Sequence, residues 1–265
     1  MLVVKVGGRA LLSNARGIAE DISSLWREGK DVLLVHGGGD LVTEVSKRLG
    51  VEPLFVTSPE GIRSRYTSAA ELEVYVMVMA GKVNKGLVSL LTSLGVSAVG
   101  LSGADGPTVV AERKKKIVVL DERGRKRVME GGYTGKIREV RTSLLKALLR
   151  ERYLPVVAPI AVDTEGTMLN VDGDQMAAEL AVALGAESLV FLTDVEGLVL
   201  EGEKVSKLAR EDLDRAIAKA GAGMNRKLLQ AKRALEGGVR QVLIYNGKEG
   251  GAVRKALEGQ GTTIS

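Results

Sequence analysis

The sequence predicts an α/β fold, a three-layer αβα sandwich around a mainly parallel central sheet. Two observations lead to this prediction. Short apolar runs rich in Val, Leu and Ile alternate with longer amphipathic segments along the 265-residue chain, which is the order expected of βαβ units. In addition, the first two runs end in glycine-rich loops that lead into helical patterns, as strand-to-helix connections do in such folds.

The first hundred residues alternate between predicted strands and predicted helices. Continuous apolar runs predict buried strands, and apolar residues spaced three and four apart predict helices. The strands are expected at Leu2–Val6, Val32–Val35 and Val96–Leu101, and the helices from after Ser13 to Gly29, from the second glycine loop to near Gly50, and over Glu71–Leu94 with a break near Gly81 or Gly86.

The middle of the chain has a different pattern, after which the βα alternation returns. Residues 108–140 alternate as antiparallel hairpins do, and Asp121–Gly124 indicates a turn. The later helices are expected at Ser143–Arg150, Gly173–Leu184, Asn225–Glu236 and Gly250–Leu257, and the later strands at Pro155–Pro159, Leu189–Leu192 and Gln241–Tyr245. The absence of a Pro- or Ser-rich linker predicts a single domain over residues 1–265, with two lobes on one sheet.

The composition excludes several classes of protein and site. Apolar residues make up 45% and charged residues 27% of the chain, which is typical of a folded protein. The absence of Cys excludes disulfides, thiolate metal sites and cysteine nucleophiles. Because His36 is the only histidine, a three-His zinc site is also excluded, and we expect no metal held by protein ligands alone.

The same composition predicts where the protein works. No apolar run approaches the ~20 residues of a membrane span, and the N-terminus lacks the features of a signal peptide. We therefore expect a cytoplasmic protein with no membrane partner. Aromatic residues are only 3%, so stacking platforms for nucleic acid are scarce and no nucleic-acid partner is expected. Five Asn and four Gln among many Lys, Arg and Glu resemble the composition of thermophile proteins.

One segment supplies the whole positive charge of the chain. Residues 112–141 contain eleven Lys and Arg against five Asp and Glu, whereas the net charge of the full chain is +5. A solvated hairpin is the simple interpretation of such a charge run. The alternative is a docking surface for an acidic macromolecule, because a concentrated field steers encounter.

Glycines follow both of the first two predicted strands. Lys5-Val-Gly7-Gly8 ends the first strand, and His36-Gly37-Gly38-Gly39 ends the second. Glycine lets the backbone approach a phosphate, which N–H groups and a helix N-terminus then bind. A single loop of this kind could be only a tight turn, but two adjacent loops, one beside a lysine, favour a polyphosphate site.

Other known motifs do not account for these loops. An esterase would need a G-x-S-x-G elbow and a triad histidine, and the only histidine lies inside the glycine motif. Residues 131–136 (GGYTGK) are one residue short of a P-loop and are followed by Ile137. No G-x-G-x-x-G is present, so a dinucleotide dehydrogenase is not supported.

Three further motifs lie in the second half of the chain. They are Asn170-Val-Asp172-Gly-Asp174, Thr193-Asp194-Val-Glu-Gly197-Leu198 and Gly221-Ala-Gly223-Met224-Asn-Arg-Lys227. Taken alone, Asp174 could be a helix cap and Lys227 a surface lysine. In this order, however, the five motifs resemble the amino acid kinase family over essentially the full length of the chain.

The resemblance implies a fold, a cosubstrate and residue roles. It implies the amino acid kinase, or carbamate kinase-like, fold with an acyl-acceptor lobe (residues 1–169) and a nucleotide lobe (residues 170–265), and it implies ATP with Mg²⁺. The implied catalytic residues are Lys5, Lys227 and Asp174. The implied nucleotide-binding residues are Gly7, Gly8, Thr193, Asp194, Gly197, Leu198, Gly223 and Met224, and the implied acceptor-binding residues are Gly37, Gly38, Gly39, Asn170 and one of Arg63 and Arg65.

The segment Ser58–Thr67 refines the resemblance. N-acetylglutamate kinases carry Gly-x-Arg-Val-Thr there, whereas this chain has the longer Ser-Pro-Glu-Gly-Ile-Arg-Ser-Arg-Tyr-Thr. That form is similar to family members that phosphorylate aminoadipate or glutamate attached to LysW, a small acidic amino-group carrier protein in lysine and arginine biosynthesis. Asp172 also stands where acetylglutamate kinases have Asn. The alternatives are a kinase of free N-acetylglutamate and, more distantly, a non-catalytic nucleotide-binding regulator. The resemblance further implies a homodimer.

Overall fold

An eight-stranded sheet lies at the centre of the molecule. The computed structural model describes residues 1–59, 61, 63–221 and 223–265. Expectations for Glu60 and Ile62 in the Ser58–Thr67 segment, and for Ala222 before Lys227, therefore lie outside the described residues. In chain order the strands are β1 (Leu2–Val6), β2 (Val32–His36), β3 (Leu54–Thr57), β4 (Arg63–Tyr66), β5 (Ala98–Ser102), β6 (Val109–Arg113), β7 (Lys116–Leu120), β8 (Lys126–Glu130), β9 (Gly135–Val140), β10 (Leu154–Ala158), β11 (Ile160–Val162), β12 (Met168–Asn170), β13 (Ser188–Thr193), β14 (Leu198–Leu200), β15 (Glu203–Val205), β16 (Lys207–Leu208), β17 (Gln241–Asn246) and β18 (Thr262–Ile264).

Helices cover both faces of this sheet. They are α1 (Gly8–Arg27), α2 (Gly39–Arg48), α3 (Ala69–Val76), α4 (Asn84–Ser93), α5 (Ser143–Arg150), α6 (Gly173–Ala183), α7 (Leu213–Lys219), α8 (Met224–Glu236) and α9 (Ala252–Leu257), with a π-helical segment Met77–Val83 between α3 and α4. Alternate residues of β1 point to opposite layers: Val4 packs in the cluster with α1, α4 and α9, and Val3 in the cluster with α6 and α8.

The strand order of the central sheet is β16-β18-β17-β13-β1-β2-β10-β5. All neighbouring pairs are parallel except β17 and β18. Four of these strands precede residue 170 and four follow it, so both halves of the chain build one sheet. The predicted three-layer α/β fold with a mainly parallel sheet is confirmed.

Smaller sheets lie beside the central one. Strands β12, β11, β6 and β9 form a four-stranded sheet, and the pairs β3–β4, β7–β8 and β14–β15 form two-stranded hairpins. The antiparallel pairing of residues 108–140 agrees with the sequence, including the turn at Asp121, whose N–H donates to the Arg125 carbonyl at 2.9 Å. We name β3–β4 the acceptor hairpin and β7–β8 the basic hairpin.

The prediction that the first helix starts after Ser13 is wrong. Helix α1 begins at Gly8, directly after the first glycine loop, and has non-helical backbone angles at Asn14. The Asn14 amide donates to the carbonyls of Gly247 and Glu249 at 3.2 and 2.6 Å. These bonds hold a kink in the helix at Asn14. The apolar periodicity that predicted a helix after Ser13 comes from the residues that follow this kink.

The helical stretch Ala69–Ser93 is continuous and contains Gly81 within its π-helical segment. It is long and apolar enough, by length and composition alone, to cross a membrane, and 39% of its most apolar window is buried inside the protein. The Asn84 amide donates to the Val156 carbonyl of the central sheet at 2.9 Å. This contact and the packing of Leu87 and Leu91 in the core make the stretch part of one helical layer of the sandwich.

Candidate active site

The two glycine loops meet at the carboxyl edge of the central sheet. Strand β1 lies between β13 and β2, so the residues that follow these three strands are neighbours. A Cβ atom on Gly8 would lie 2.9 Å from the Gly38 nitrogen, and one on Gly37 would lie 2.8 Å from the Gly8 nitrogen. Only glycine permits this backbone-to-backbone contact. Gly39, by contrast, faces open space.

Two lysines from opposite ends of the chain share one carboxylate beside these loops. Lys5 Nζ lies 2.6 Å from Asp174 Oδ1, and Lys227 Nζ donates to Asp174 Oδ2 at 3.0 Å. The side chains of Lys5, Asp174 and Lys227 are only 10%, 7% and 17% exposed. Two ammonium groups around one carboxylate leave a net positive charge in a place that water hardly reaches.

The charge state of Asp174 follows from its neighbours. Burial alone would raise the pKa of its carboxyl group, because desolvation disfavours the charged form. The ammonium groups of Lys5 and Lys227 outweigh burial and hold the pKa of Asp174 well below its usual range. The carboxylate is therefore ionised at neutral pH and keeps both lysines in place.

Asp174 and Lys227, the two members of this group from the second half of the chain, each lie in the first turn of a helix. Asp174 is in the first turn of α6, where Asp172 is the N-cap: Asp172 Oδ1 accepts from the amides of Asp174 and Gln175 at 2.9 and 3.0 Å. Lys227 is in the first turn of α8, which begins after Gly223 with φ +89°. Met224 is the first residue of that helix. Gly173 leaves room for Lys5, because its Cβ would lie 3.4 Å from Lys5 Cε.

The predicted nucleotide-binding motif 193–198 lies at the end of β13. Thr193 Oγ1 donates to Asp194 Oδ1 at 3.2 Å. Gly197 has φ +145°, and a Cβ there would lie 2.8 Å from Thr262 Oγ1. The Leu198 amide donates to the same hydroxyl at 2.8 Å, and the Leu198 side chain is buried. The turn is thus held against the last strand of the sheet.

The two arginines of the acceptor hairpin have different surroundings. Arg65 is 8% exposed and pairs with Glu71, which is 2% exposed; its Nη2 also donates to the Gly39 carbonyl at 2.8 Å and to Thr43 Oγ1 at 2.6 Å. Arg63 is exposed, and its guanidinium carbon lies 4.4 Å from the centre of the Phe55 ring. Arg65 therefore lies at the three-glycine loop, whereas Arg63 faces solvent.

Asn170 and the GGYTGK segment join the acceptor hairpin to the four-stranded sheet. The Asn170 amide group donates to Thr67 Oγ1 at 2.8 Å, and the backbone N–H of Tyr133 donates to the Thr67 carbonyl at 2.7 Å. A Cβ on Gly132, which has φ +59°, would lie 2.4 Å from that carbonyl. The segment that resembles a shortened P-loop is thus a structural joint.

A cavity of about 510 Å³ lies between the acceptor hairpin and the basic hairpin. Ser64, Arg65 and Tyr66 line one side, and Ile117 and Val119 line the other. Lys114 and Lys126 also face it. Of the eleven cations in residues 112–141, three pair with acids of the same segment within the described chain: Arg125 with Asp121, Arg138 with Glu112 and Arg141 with Glu139.

The single histidine is buried beneath the second glycine loop. His36 Nε2 lies 3.2 Å from the Asn84 amide nitrogen, and its Nδ1 lies 3.1 Å from the Gly37 carbonyl. Since the amide donates and the carbonyl accepts, these partners assign the neutral tautomer with the proton on Nδ1. Burial, together with Lys5, lowers the pKa of His36 to about 4. The imidazole supports the loop and holds no charge at neutral pH.

Because His36 is buried in its neutral form, we expect the free energy of unfolding to depend on pH. Between pH 6.5 and about 4 the unfolded chain binds a proton on His36 that the folded chain does not, so this residue makes stability fall as the pH falls through that window. The imidazole C–H resonances of this single histidine should titrate with a midpoint near 4, and kcat should show no inflection near 6.5. A midpoint above 6 would contradict the placement of His36.

Three contributors to the site were not singled out from the sequence. Arg226 Nη1 donates to Asp172 Oδ2 at 2.9 Å, and its Nη2 donates to the Arg63 carbonyl at 2.7 Å. Arg9 contacts Asp40 and Asp194, each at 3.1 Å, and although burial opposes it, the hydrogen bond from Arg9 lowers the pKa of Asp194. Glu71 holds Arg65. The motif Met224-Asn-Arg-Lys227 was the one available signal for Arg226.

The comparisons with known proteins identify the family of the chain. A model of the amino acid kinase family matches residues 1–246. The chain is 50% identical to the LysW-aminoadipate/LysW-glutamate kinase of Saccharolobus islandicus, over all of this chain and 99% of that relative.

Two solved structures share the fold. N-acetylglutamate synthase of Neisseria gonorrhoeae, complexed with coenzyme A and N-acetyl-glutamate, has a TM-score of 0.82 and 27% identity over all of this chain and 59% of its own. Carbamate kinase of Giardia lamblia bound to AMP-PNP has a TM-score of 0.66 over 99% and 97% of the two chains. At 17% identity, this second likeness supports the fold alone.

Proposed function

The chain belongs to the amino acid kinase family, and from this premise we propose that it transfers the γ-phosphoryl group of ATP to the side-chain carboxylate of aminoadipate or glutamate carried by LysW. The product is an acyl phosphate on the carrier, as lysine or arginine biosynthesis requires. Full-length relatives at about half identity bear the corresponding name and support this acceptor. Phosphorylation of free N-acetylglutamate is the second candidate.

The observation that carries the proposal is the Lys5–Asp174–Lys227 group. A carboxylate acceptor is already ionised at pH 7 and needs no general base. The difficulty is to hold two anions together while negative charge grows on the transferred phosphoryl oxygens. Two fixed ammonium groups with one shared carboxylate supply a net positive charge that stabilises the growing negative charge. Because water hardly reaches this group, the attraction between the two charges is stronger than it would be in solvent. An intact group of this kind disfavours a non-catalytic regulator.

The remaining roles follow the placement of the residues. We propose that the nucleotide binds to the Gly7–Gly8 loop and to the turns at Thr193, Asp194, Gly197, Leu198, Gly223 and Met224. Within that loop the Gly7 N–H already donates to the Leu192 carbonyl at 2.8 Å. Gly37, Gly38, Gly39 and Asn170 are assigned to the acceptor. Mg²⁺ would be held by the nucleotide phosphates and would neutralise part of their charge, since Asp194, the carboxylate in this set, already pairs with Arg9 at 3.1 Å.

The two hairpins support a carrier-bound acceptor. A free amino acid does not need a concentrated field outside the site, whereas a protein that carries its substrate must be steered and oriented. The cavity between the hairpins, with Lys114 and Lys126 on its wall and Arg65 at its inner side, offers room for the segment that bears the substrate. We propose that residues 112–141 and Arg63 form the docking surface for acidic LysW.

Hydroxamate trapping of the acyl phosphate tests the acceptor directly. Wild-type protein with ATP is assayed in parallel with LysW-linked aminoadipate, LysW-linked glutamate, free N-acetylglutamate and unmodified LysW. We expect product with one or both carrier-linked acceptors. Product with N-acetylglutamate alone would replace the proposal by its second candidate, and nucleotide binding without any trapped product would favour a regulator.

Reversal of charge on the basic hairpin should weaken carrier binding. In the variant with Lys115, Lys116 and Arg127 all changed to Glu, we expect a KM for carrier-linked substrate raised about tenfold or more at low salt, with a flatter salt dependence. The KM for ATP should not change. The measurement is the KM for the carrier at several salt concentrations.

A matched control removes the effect of total charge. Changing Lys204, Lys207 and Arg210 to Glu alters the net charge equally at exposed positions away from both hairpins. This control should keep the wild-type KM and salt slope. Equal KM values and equal slopes for the two triple variants would show that the basic hairpin is only a solvated surface.

The assembly and cellular location stay predictions from the resemblance and composition. We propose a cytoplasmic homodimer from a thermophile. The apolar stretch Ala69–Ser93, whose most apolar window is only 39% buried, supports pairing with a second copy, because such a surface is rarely left open to water.

A further inference from the structure

Arg226 links three parts of the site that are distant in the sequence. Its guanidinium bonds to Asp172, which caps the helix of Asp174, and to the Arg63 carbonyl in the acceptor hairpin, and its own backbone adjoins Lys227. We propose that Arg226 is a positioning residue that fixes the acceptor hairpin relative to the catalytic group. The inference rests on the proposed function, since it concerns how the carrier-linked acceptor is aligned.

The geometry suits arginine in particular. A planar guanidinium donates in two directions at fixed angles, which a lysine ammonium cannot reproduce. Asp172 is also divided between two tasks: Oδ1 accepts the two amides of the α6 cap, and Oδ2 accepts from Arg226. A shift of Arg226 would therefore act on the hairpin and on the helix that carries Asp174 at the same time.

The hairpin needs such an anchor. A two-stranded hairpin is at best marginally stable by itself, and Leu54 and Phe55 of β3 are substantially exposed. Arg65 ties the hairpin to the three-glycine loop, and Arg226 ties it to α8 from the other lobe. The bond from Arg226 goes to the backbone of residue 63, so it does not depend on the Arg63 side chain.

Helix packing does not explain the contact. A second arginine of α8, Arg233, already pairs with Glu179 of α6 through two bonds of 2.9 and 3.0 Å. That pair joins the same two helices as Arg226 and Asp172 do, but it has no link to the hairpin. Arg233→Ala is therefore the matched control for the loss of an α6–α8 ion pair.

The experiment compares Arg226→Ala, Asp172→Asn, the double variant and Arg233→Ala. Asn is as good an N-cap as Asp, so Asp172→Asn keeps the helix and removes only the ionic partner. We expect both single variants to raise the KM for carrier-linked substrate about 10- to 100-fold, because a loosened hairpin must be ordered when the carrier binds, with a smaller loss of kcat and unchanged ATP affinity. The double variant should be no worse than Arg226→Ala, and Arg233→Ala should match wild type.

Hydrogen exchange gives a readout that does not depend on the acceptor. The amides of β3–β4 should exchange faster in Arg226→Ala and at the wild-type rate in Arg233→Ala. Unchanged exchange and unchanged KM in Arg226→Ala, or equal effects in both arginine variants, would overturn the inference. If wild type fails to use LysW-linked acceptors while Arg226→Ala still loosens the hairpin, the proposed function fails and the positioning role stands.

Discussion

Lys5→Ala and Lys227→Ala should each lower kcat about 10²- to 10³-fold, the usual cost of one donor aimed at charge that develops in the transition state. Both ammonium groups lie within 3.0 Å of Asp174, so either loss halves the cationic charge of the group. The KM for ATP should change far less, because the glycine loops and the Thr193–Leu198 turn are assigned to its binding. Steady-state kinetics with the preferred acceptor measures both constants.

The controls for this prediction separate catalysis from folding. In either variant the remaining lysine still pairs with buried Asp174, so thermal unfolding should shift little compared with the loss of kcat. Lys219→Ala, which removes an exposed lysine paired with Glu201 at 2.9 Å, should keep wild-type turnover. Near-normal kcat in both Lys5→Ala and Lys227→Ala would remove these residues from the mechanism.

The central layers of the fold could be predicted because their signals are local. Fully buried parallel strands such as β1 and β13 are continuous apolar runs, and helices such as α5 have a strong apolar period, so these elements lie close to their predicted positions. Strands β11, β12, β14, β15, β16 and β18 and helix α7 were missed. They have two to seven residues, too short for a period to show, and tertiary pairing decides their structure.

The acceptor hairpin, which lies over the active site, was likewise not predicted from the sequence. Its residues Arg63–Tyr66 contain alternating polar and charged side chains that show no buried face, because the hairpin lies over the site and not in the core. The glycine loops and the lysines beside them could be predicted from the sequence, because close approach of the backbone to a phosphate requires glycines that are consecutive in the chain. The partners of Arg226 could not, because its bonds cross 54 and 163 residues.

Asp172 is the second departure from the acetylglutamate kinase pattern, after the Ser58–Thr67 segment. An aspartate where acetylglutamate kinases have asparagine places an additional carboxylate beside the catalytic helix, and a partly buried carboxylate needs a cation. The structure supplies it as Arg226, which stands next to Lys227 in the same motif. The sequence showed this departure from the family pattern but did not predict the ion pair, because the partner lies 54 residues away.

Arg65→Ala and Arg63→Ala should have clearly different effects. Loss of Arg65 leaves Glu71 buried without its cation, which we expect to cost about 3–5 kcal/mol in the free energy of unfolding. It also removes the hydrogen bond to the Gly39 carbonyl in the three-glycine loop Gly37–Gly39, so use of the acceptor should be nearly abolished. Arg63 is exposed on Phe55, and its loss should raise the KM for the carrier several-fold with little change in stability.

A second substitution distinguishes function from folding in this comparison. Glu71→Gln in the Arg65→Ala background removes the unpaired buried charge and should recover much of the unfolding free energy, measured by denaturant titration. Acceptor use should stay lost, because an amide at position 71 does not replace the guanidinium at Gly39. If activity returned together with stability, Arg65 would be only a structural residue and Arg63 would take the acceptor carboxylate. If neither single arginine variant changed acceptor kinetics, the acceptor hairpin would not bind the acceptor at all.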